Sequence, residues 1–163
     1  GYTVVELKED EITEDKLANF DAVVLGIRAY NTNDRAKFYQ KNLHQYVENG
    51  GTLIVQYNTN FRLIVDEVAP FPLKLSRERV TEEDAEVRII NPAHPLLNFP
   101  NKINSSDFEG WVQERGLYFP SEWDANFEPI LSMNDKNEKE FTKHISPFIR
   151  TNDNCRFRTR LEC

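Results

Sequence analysis

Cysteine is nearly absent from the 163-residue chain, whose two copies, Cys155 and Cys163, both lie within the last nine residues. Their spacing at a polar end matches neither a metal-ligand pattern nor a disulfide framework, so they read as incidental. Histidine is as sparse. His44, His94 and His144 are scattered, with no short-spaced pair of the kind a zinc site uses. No apolar run approaches the roughly 18 residues of a membrane-crossing helix, and no basic-then-apolar leader is present. The chain opens on Gly1-Tyr2-Thr3 without a methionine, so the expectation is a segment of something longer. Positive charge is also in deficit, with 20 Lys+Arg against 27 Asp+Glu for a net −7. That balance argues against nucleic acid or an anionic membrane as partner, because both reward a basic face.

What is present is ordinary globular material, 39% hydrophobic and 29% charged. A chain of this length fits one domain and buries roughly 70% of its unfolded surface. Thr3-Val4-Val5-Glu6-Leu7 reads as a short strand. Thr13 is placed to cap a short helix that begins with Glu14-Asp15, acidic residues suited to a helix start. Asp21-Ala22-Val23-Val24-Leu25-Gly26-Ile27 is a continuous, largely β-branched run, as expected of a parallel strand covered on both faces. From residue 33 to residue 48, Ala36, Tyr39, Leu43, Tyr46 and Val47 recur on one face of a 3.6-residue period. Thr32 or Asn33 can cap that helix, and Gly50 can end it in the left-handed conformation. Gly51-Thr52-Leu53-Ile54-Val55-Gln56-Tyr57 is then a third buried strand. The alternation of strand and helix predicts an open, doubly wound α/β sheet.

Beyond Phe61, Pro70, Pro72, Pro92, Pro95 and Pro100 cut the chain into short pieces. Ala85-Glu86-Val87-Arg88-Ile89-Ile90 and Glu128-Pro129-Ile130-Leu131-Ser132 are the best strand candidates there. Residues 136–163 carry seven Lys+Arg and four Asp+Glu, a net +3 that leaves −10 on the rest. Without apolar periodicity, this stretch is expected to be an atypical, disordered or non-native tail. Arg156-Phe157-Arg158-Thr159-Arg160 alternates, so it could form an exposed strand.

Three stretches carry a resemblance. They are residues 21–32, then Gly50-Gly51-Thr52-Leu53-Ile54-Val55-Gln56-Tyr57-Asn58-Thr59, then Gly110-Trp111-Val112-Gln113-Glu114-Arg115-Gly116-Leu117-Tyr118-Phe119-Pro120. All three resemble the C-terminal domain of long bacterial PIG-L (LmbE-like) deacetylases, a domain similar to class I glutamine amidotransferases and ThuA-like trehalose-utilisation proteins. The resemblance covers residues 1–135. It implies a flavodoxin-like open parallel sheet truncated at both ends, lacking a central first strand ahead of Gly1 and a closing hairpin and helix after Asp135. The missing central strand would leave backbone groups along Val4 and Val23 unpaired unless those two strands meet directly. A parent of this kind is bacterial, its periplasmic or secreted placement being open. Its zinc-dependent de-N-acetylase (hydrolase) chemistry belongs to a separate N-terminal domain, a partner for this one; no cofactor is expected in this chain.

In open α/β sheets, ligands bind beyond the carboxyl ends of the strands. Those ends here carry Arg28, Tyr30 and Asn31, then Gln56, Tyr57, Asn58, Thr59 and Asn60. Catalytic amidotransferases, by the same resemblance, place a nucleophilic cysteine after the second of these strands. Gln56-Tyr57-Asn58 cannot replace a thiolate. Arg28 could pair with a carboxylate or phosphate, the amides could bind sugar hydroxyls, and Tyr30 or Tyr57 could stack on a ring. Asn and Thr in such turns equally often bond the loop backbone. The leading expectation is a non-catalytic accessory domain that binds carbohydrate or packs against the deacetylase domain. The alternative is a ThuA-like hydrolase or isomerase using His94, in a proline-stiffened loop, with Glu114 or Asp107.

Overall fold

A computed structural model describes residues 1–110 and 116–138, together with the backbone of 145–149. The chain falls into two compact units, one built on Gly1–Pro70 and one on Phe71–Arg150.

In the first unit a 3₁₀ turn, Glu9–Glu11, leads into α1, Glu14–Leu17, where Thr13 accepts a hydrogen bond from the Lys16 N–H at 3.4 Å. Leu17 on this turn is fully buried. β1 (Ala22–Leu25), α2 (Ala29–Thr32), α3 (Ala36–Glu48) and β2 (Thr52–Val55) follow. The two strands pair in parallel, in register from Ala22 with Thr52 to Leu25 with Val55. Ala36, Tyr39, Leu43, Tyr46 and Val47 of α3 are all buried, the same five residues that the sequence period puts on one face. The helix begins at Ala36, three residues after Asn33, because Asn33 accepts from the Arg35 N–H at 2.9 Å and turns the chain into it. It ends in a Schellman motif. Gly50, at φ +95°, donates to Val47 O at 2.9 Å and Gly51 donates to Tyr46 O at 2.8 Å.

Two expectations fail here. Thr3 to Leu7 form no strand, and Val4 is 88% exposed. A strand needs a neighbour for its backbone groups; without one, water is their partner. Among the described residues, helices also cover the sheet on one face only. α3 packs on β2 and α1 packs on α3, which makes a single helical layer. Leu25 is buried, whereas Val24 and Ile54 are 58% and 49% exposed. The apolar run predicts two covered faces from composition alone, yet this unit supplies helices for one.

The second unit is mostly antiparallel. β3 (Leu73–Leu75) pairs with β5 (Pro120–Trp123), and β4 (Arg88–Ile89), β6 (Phe127–Ser132) and β7 (Ile145–Ile149) form a three-stranded sheet in the order β4-β6-β7. Val80, Leu97, Phe119 and Phe127 are buried, with the Phe71 ring edge-on to Phe127 at 6.4 Å. The expected strand over 85–90 shrinks to the two residues of β4, while that over 128–132 is realised as β6. β5 opens on Pro120, a position where a strand tolerates the missing donor. The Asp135 carboxylate accepts from the Thr81 N–H at 2.8 Å and the Glu82 N–H at 3.0 Å, and Lys136 N–H donates to Glu82 at 2.9 Å. β7 lies within the stretch expected to be a tail, and Arg156–Arg160 lie outside the described residues. The chain is thus mixed α/β with small sheets, one of them a parallel pair. No helix among the described residues is long and apolar enough to cross a membrane.

Candidate functional site

The carboxyl ends of β1 and β2 stay joined past the last paired residues. Gln56 N–H donates to Leu25 O at 3.0 Å, and Arg28 N–H donates to Tyr57 O at 2.6 Å. Arg28 therefore reverses the chain at φ 58°, a left-handed conformation that costs a non-glycine residue about 1 kcal/mol. α2 starts directly after it and carries Tyr30 and Asn31 back over the end of β2.

Amide side chains then bolt the two turns together. The Asn58 Oδ1 accepts from the Tyr30 N–H at 3.1 Å, and its Nδ2 donates to Gln56 O at 2.9 Å. Asn31 pairs with Thr59 in both directions, its Oδ1 accepting from Thr59 N–H at 2.9 Å and its Nδ2 donating to Thr59 O at 3.2 Å and Phe61 O at 3.1 Å. The Thr59 hydroxyl donates to Phe61 O at 2.9 Å. Asn58 and Thr59 are buried. Their polar atoms, with those of Asn31, answer the backbone groups of irregular loops that would otherwise be buried unpaired.

Tyr30 has no exposed surface at all, so its ring presents no face for stacking. Its hydroxyl is buried without a hydrogen bond of good geometry, the neighbouring Gln40 amide giving its N–H to Glu67 O. Burial pushes this phenol up to about 12, and the Gln40 amide pulls it only partly back.

Three of the expected residues remain outward. Arg28, Gln56 and Tyr57 are exposed, and neither the Arg28 guanidinium nor the Gln56 amide has a hydrogen bond or ion pair among the described residues. They sit at consecutive strand ends beside Ile27, which is 67% exposed. Together these groups make a rim with one cation, one amide and one phenol ring over a rigid floor. Asn60 also belongs to the site, its Oδ1 buried with no hydrogen-bond partner among the described residues.

His94 belongs to the second unit. It is buried, its Nδ1 accepts from the Leu96 N–H at 3.2 Å, and its Nε2 lies 3.8 Å from the Glu128 carboxylate. Nδ1 thereby caps the 3₁₀ turn Pro95–Leu97. Asn91 donates to the other Glu128 oxygen. Glu128, invisible as a partner in the sequence because it lies on a distant strand, takes the position that was expected of Glu114 or Asp107. Asp107 instead accepts from the Asn104 N–H at 2.8 Å within its own turn, and Glu114 lies outside the described residues. Half-buried His44 on α3 has a buried Nε2 without a hydrogen-bond partner among the described residues, and burial lowers its pKa against the opposing pull of Glu48 and Glu67. No group of three His, Cys, Asp or Glu among the described residues could hold a metal ion.

Comparison with protein-family models, with curated proteins and with solved structures finds no match in any of the three.

Proposed function

We propose that this chain is a non-catalytic, amidotransferase-like accessory module of flavodoxin-like type, serving a PIG-L-type deacetylase and binding carbohydrate at the ends of β1 and β2. The reading rests on one observation above others. The turn after β2 holds Gln56-Tyr57-Asn58, and Asn58 is tied to the Tyr30 N–H, so the position of a nucleophile is filled by a structural brace. A braced turn cannot attack a carbonyl, but it can hold a recognition surface still. Arg28, Gln56 and Tyr57 supply the chemistry sugars need, which is planar donors, an amide and an aromatic face.

Calorimetric titration with hexosamines, N-acetylhexosamines and uronic acids tests the reading. Binding of at least one class is expected, weakened about tenfold by Arg28→Ala, since a charged hydrogen bond contributes about 1.5 kcal/mol. Absence of binding across the panel refutes the carbohydrate role. Release of ammonia from glutamine by the chain refutes the non-catalytic one.

A second reading, a ThuA-like hydrolase or isomerase, draws on the His94–Glu128 pair. Its weakness is chemical. A general base must aim a free lone pair at the substrate, and here Nδ1 accepts from Leu96 while Nε2 faces Glu128. Under that reading His94→Ala abolishes a turnover activity; under the first it leaves sugar affinity intact.

A further inference from the structure

Asn49-Gly50 is the one Asn-Gly pair in the sequence, which has no Asp-Gly. A glycine after asparagine leaves its peptide nitrogen unshielded, because it has no Cβ to crowd the approach to the asparagine side chain. That nitrogen can attack the side-chain amide carbon. Both residues are exposed, so water and hydroxide reach them.

The fold sets this pair in a geometry that holds the reaction back. Asn49 ends α3 at φ −79° and ψ 4°. At that ψ the Gly50 nitrogen lies away from the Asn49 Cβ, and closing a five-membered ring requires the peptide to swing well off this value. Two backbone hydrogen bonds oppose the swing. Gly50 N–H donates to Val47 O at 2.9 Å, and Gly51 N–H donates to Tyr46 O at 2.8 Å. The first of these also engages the proton that the nitrogen must lose before it can attack. The Asn49 Oδ1 meanwhile accepts from the Gln45 amide at 3.3 Å, which ties the side chain to the preceding turn.

We propose that Asn49 is a self-modification site that converts to aspartate and isoaspartate, with the exit of α3 as its gate. Once the turn opens, the Gly50 nitrogen gives up its proton and bonds to Asn49 Cγ. The Cγ–Nδ2 bond breaks, and Nδ2 leaves as ammonia with a proton in place of that bond. Water then opens the succinimide at either carbonyl, giving aspartate or isoaspartate. The net change consumes one water and releases one ammonia per chain without turnover, which separates it from hydrolysis of glutamine. The new carboxylate stands at the negative end of α3 beside Glu48, where the helix dipole opposes it. Isoaspartate also adds a methylene to the main chain just ahead of β2, the strand that leads to Gln56 and Tyr57. Its formation therefore loosens the strand beneath the rim, whether or not that rim binds carbohydrate.

Peptide mapping by mass spectrometry tests this, with the full chain held at neutral pH in buffer and in guanidinium chloride. In denaturant Asn49 is expected to convert first among the asparagines. In the native chain it is expected to convert about thirtyfold more slowly, the population factor for opening two backbone hydrogen bonds. Gly51→Ala forces the Tyr46 ring aside, and it should speed native conversion by the factor by which it speeds hydrogen exchange at the Gly50 amide. Asn49→Gln, whose longer side chain closes such a ring far more slowly, is expected to keep the native circular dichroism and to show no conversion at that position. Equal rates in buffer and denaturant overturn the gate. Conversion led by another asparagine in denaturant, or none at Asn49, overturns the site.

Discussion

Asn31 shows how one side chain holds the floor of the site. It answers Thr59 twice and Phe61 once, so Asn31→Ala leaves the Thr59 N–H and C=O to find water while Phe61 O keeps the Thr59 hydroxyl, a cost of about 2 kcal/mol. The loss should be read as faster hydrogen exchange at the Thr59 amide, while exchange along α3 is unchanged. Tyr30 makes the opposite case, since its hydroxyl is buried unsatisfied. Tyr30→Phe is expected to stabilise the chain by about 1 kcal/mol. The sign of its pH effect follows from a folded value near 12 against 10.0 in the unfolded chain. The folded state keeps the proton longer, so this contribution is whole below pH 10 and is lost as pH climbs toward 12. The phenylalanine variant removes that part of the alkaline fall in denaturant midpoint. His44 works at the other end. Its lowered value means that the unfolded chain takes up the proton first, so stability is full above the ordinary 6.5 and declines as pH drops through it. His44→Gln should flatten that acid limb; an unchanged slope would show that His44 titrates alike in both states.

At the level of elements, α3 and its exit carry the first unit. Gly50 takes the left-handed position, whereas Gly51 is required for a different reason. A Cβ at Gly51 would enter the Tyr46 ring, which is held by its hydroxyl bond to Phe20 O at 2.9 Å. Gly51→Ala is therefore expected to cost about 1–3 kcal/mol by overpacking, measured as a lowered melting temperature with the Tyr46–Phe20 contact displaced. The helix, its buried face and its glycine stop were legible because they follow from local periodicity and backbone sterics. The strand over 3–7 was not, because its residues have strand composition but strand formation depends on a partner elsewhere in the chain. β3, β5 and the His94–Glu128 pairing escaped for the same reason. Their partners lie 48 positions away for Lys74 and Glu122, and nothing local marks such a distance.

Across the whole molecule, the net −7 sets what the surface attracts. The chain is expected not to shift duplex DNA in a mobility assay at physiological salt, because counterion release needs a basic face. A shift that vanishes with added salt would place such a face on the molecule. Composition and periodicity alone determined the α/β character, the parallel pair β1–β2 with its helical connection, and the polar residues gathered beyond the strand ends. They did so because burial period, capping and turn chemistry act over a few residues. Tertiary structure decided how those polar residues are used. Asn31, Asn58 and Thr59 turn inward to satisfy loop backbone while Arg28, Gln56 and Tyr57 stay in water, since a side chain's choice between ligand and loop depends on which backbone groups the fold leaves unpaired. It also decided that, among the described residues, helices cover one face of the parallel pair, because coverage requires packing elements that no strand can specify for itself.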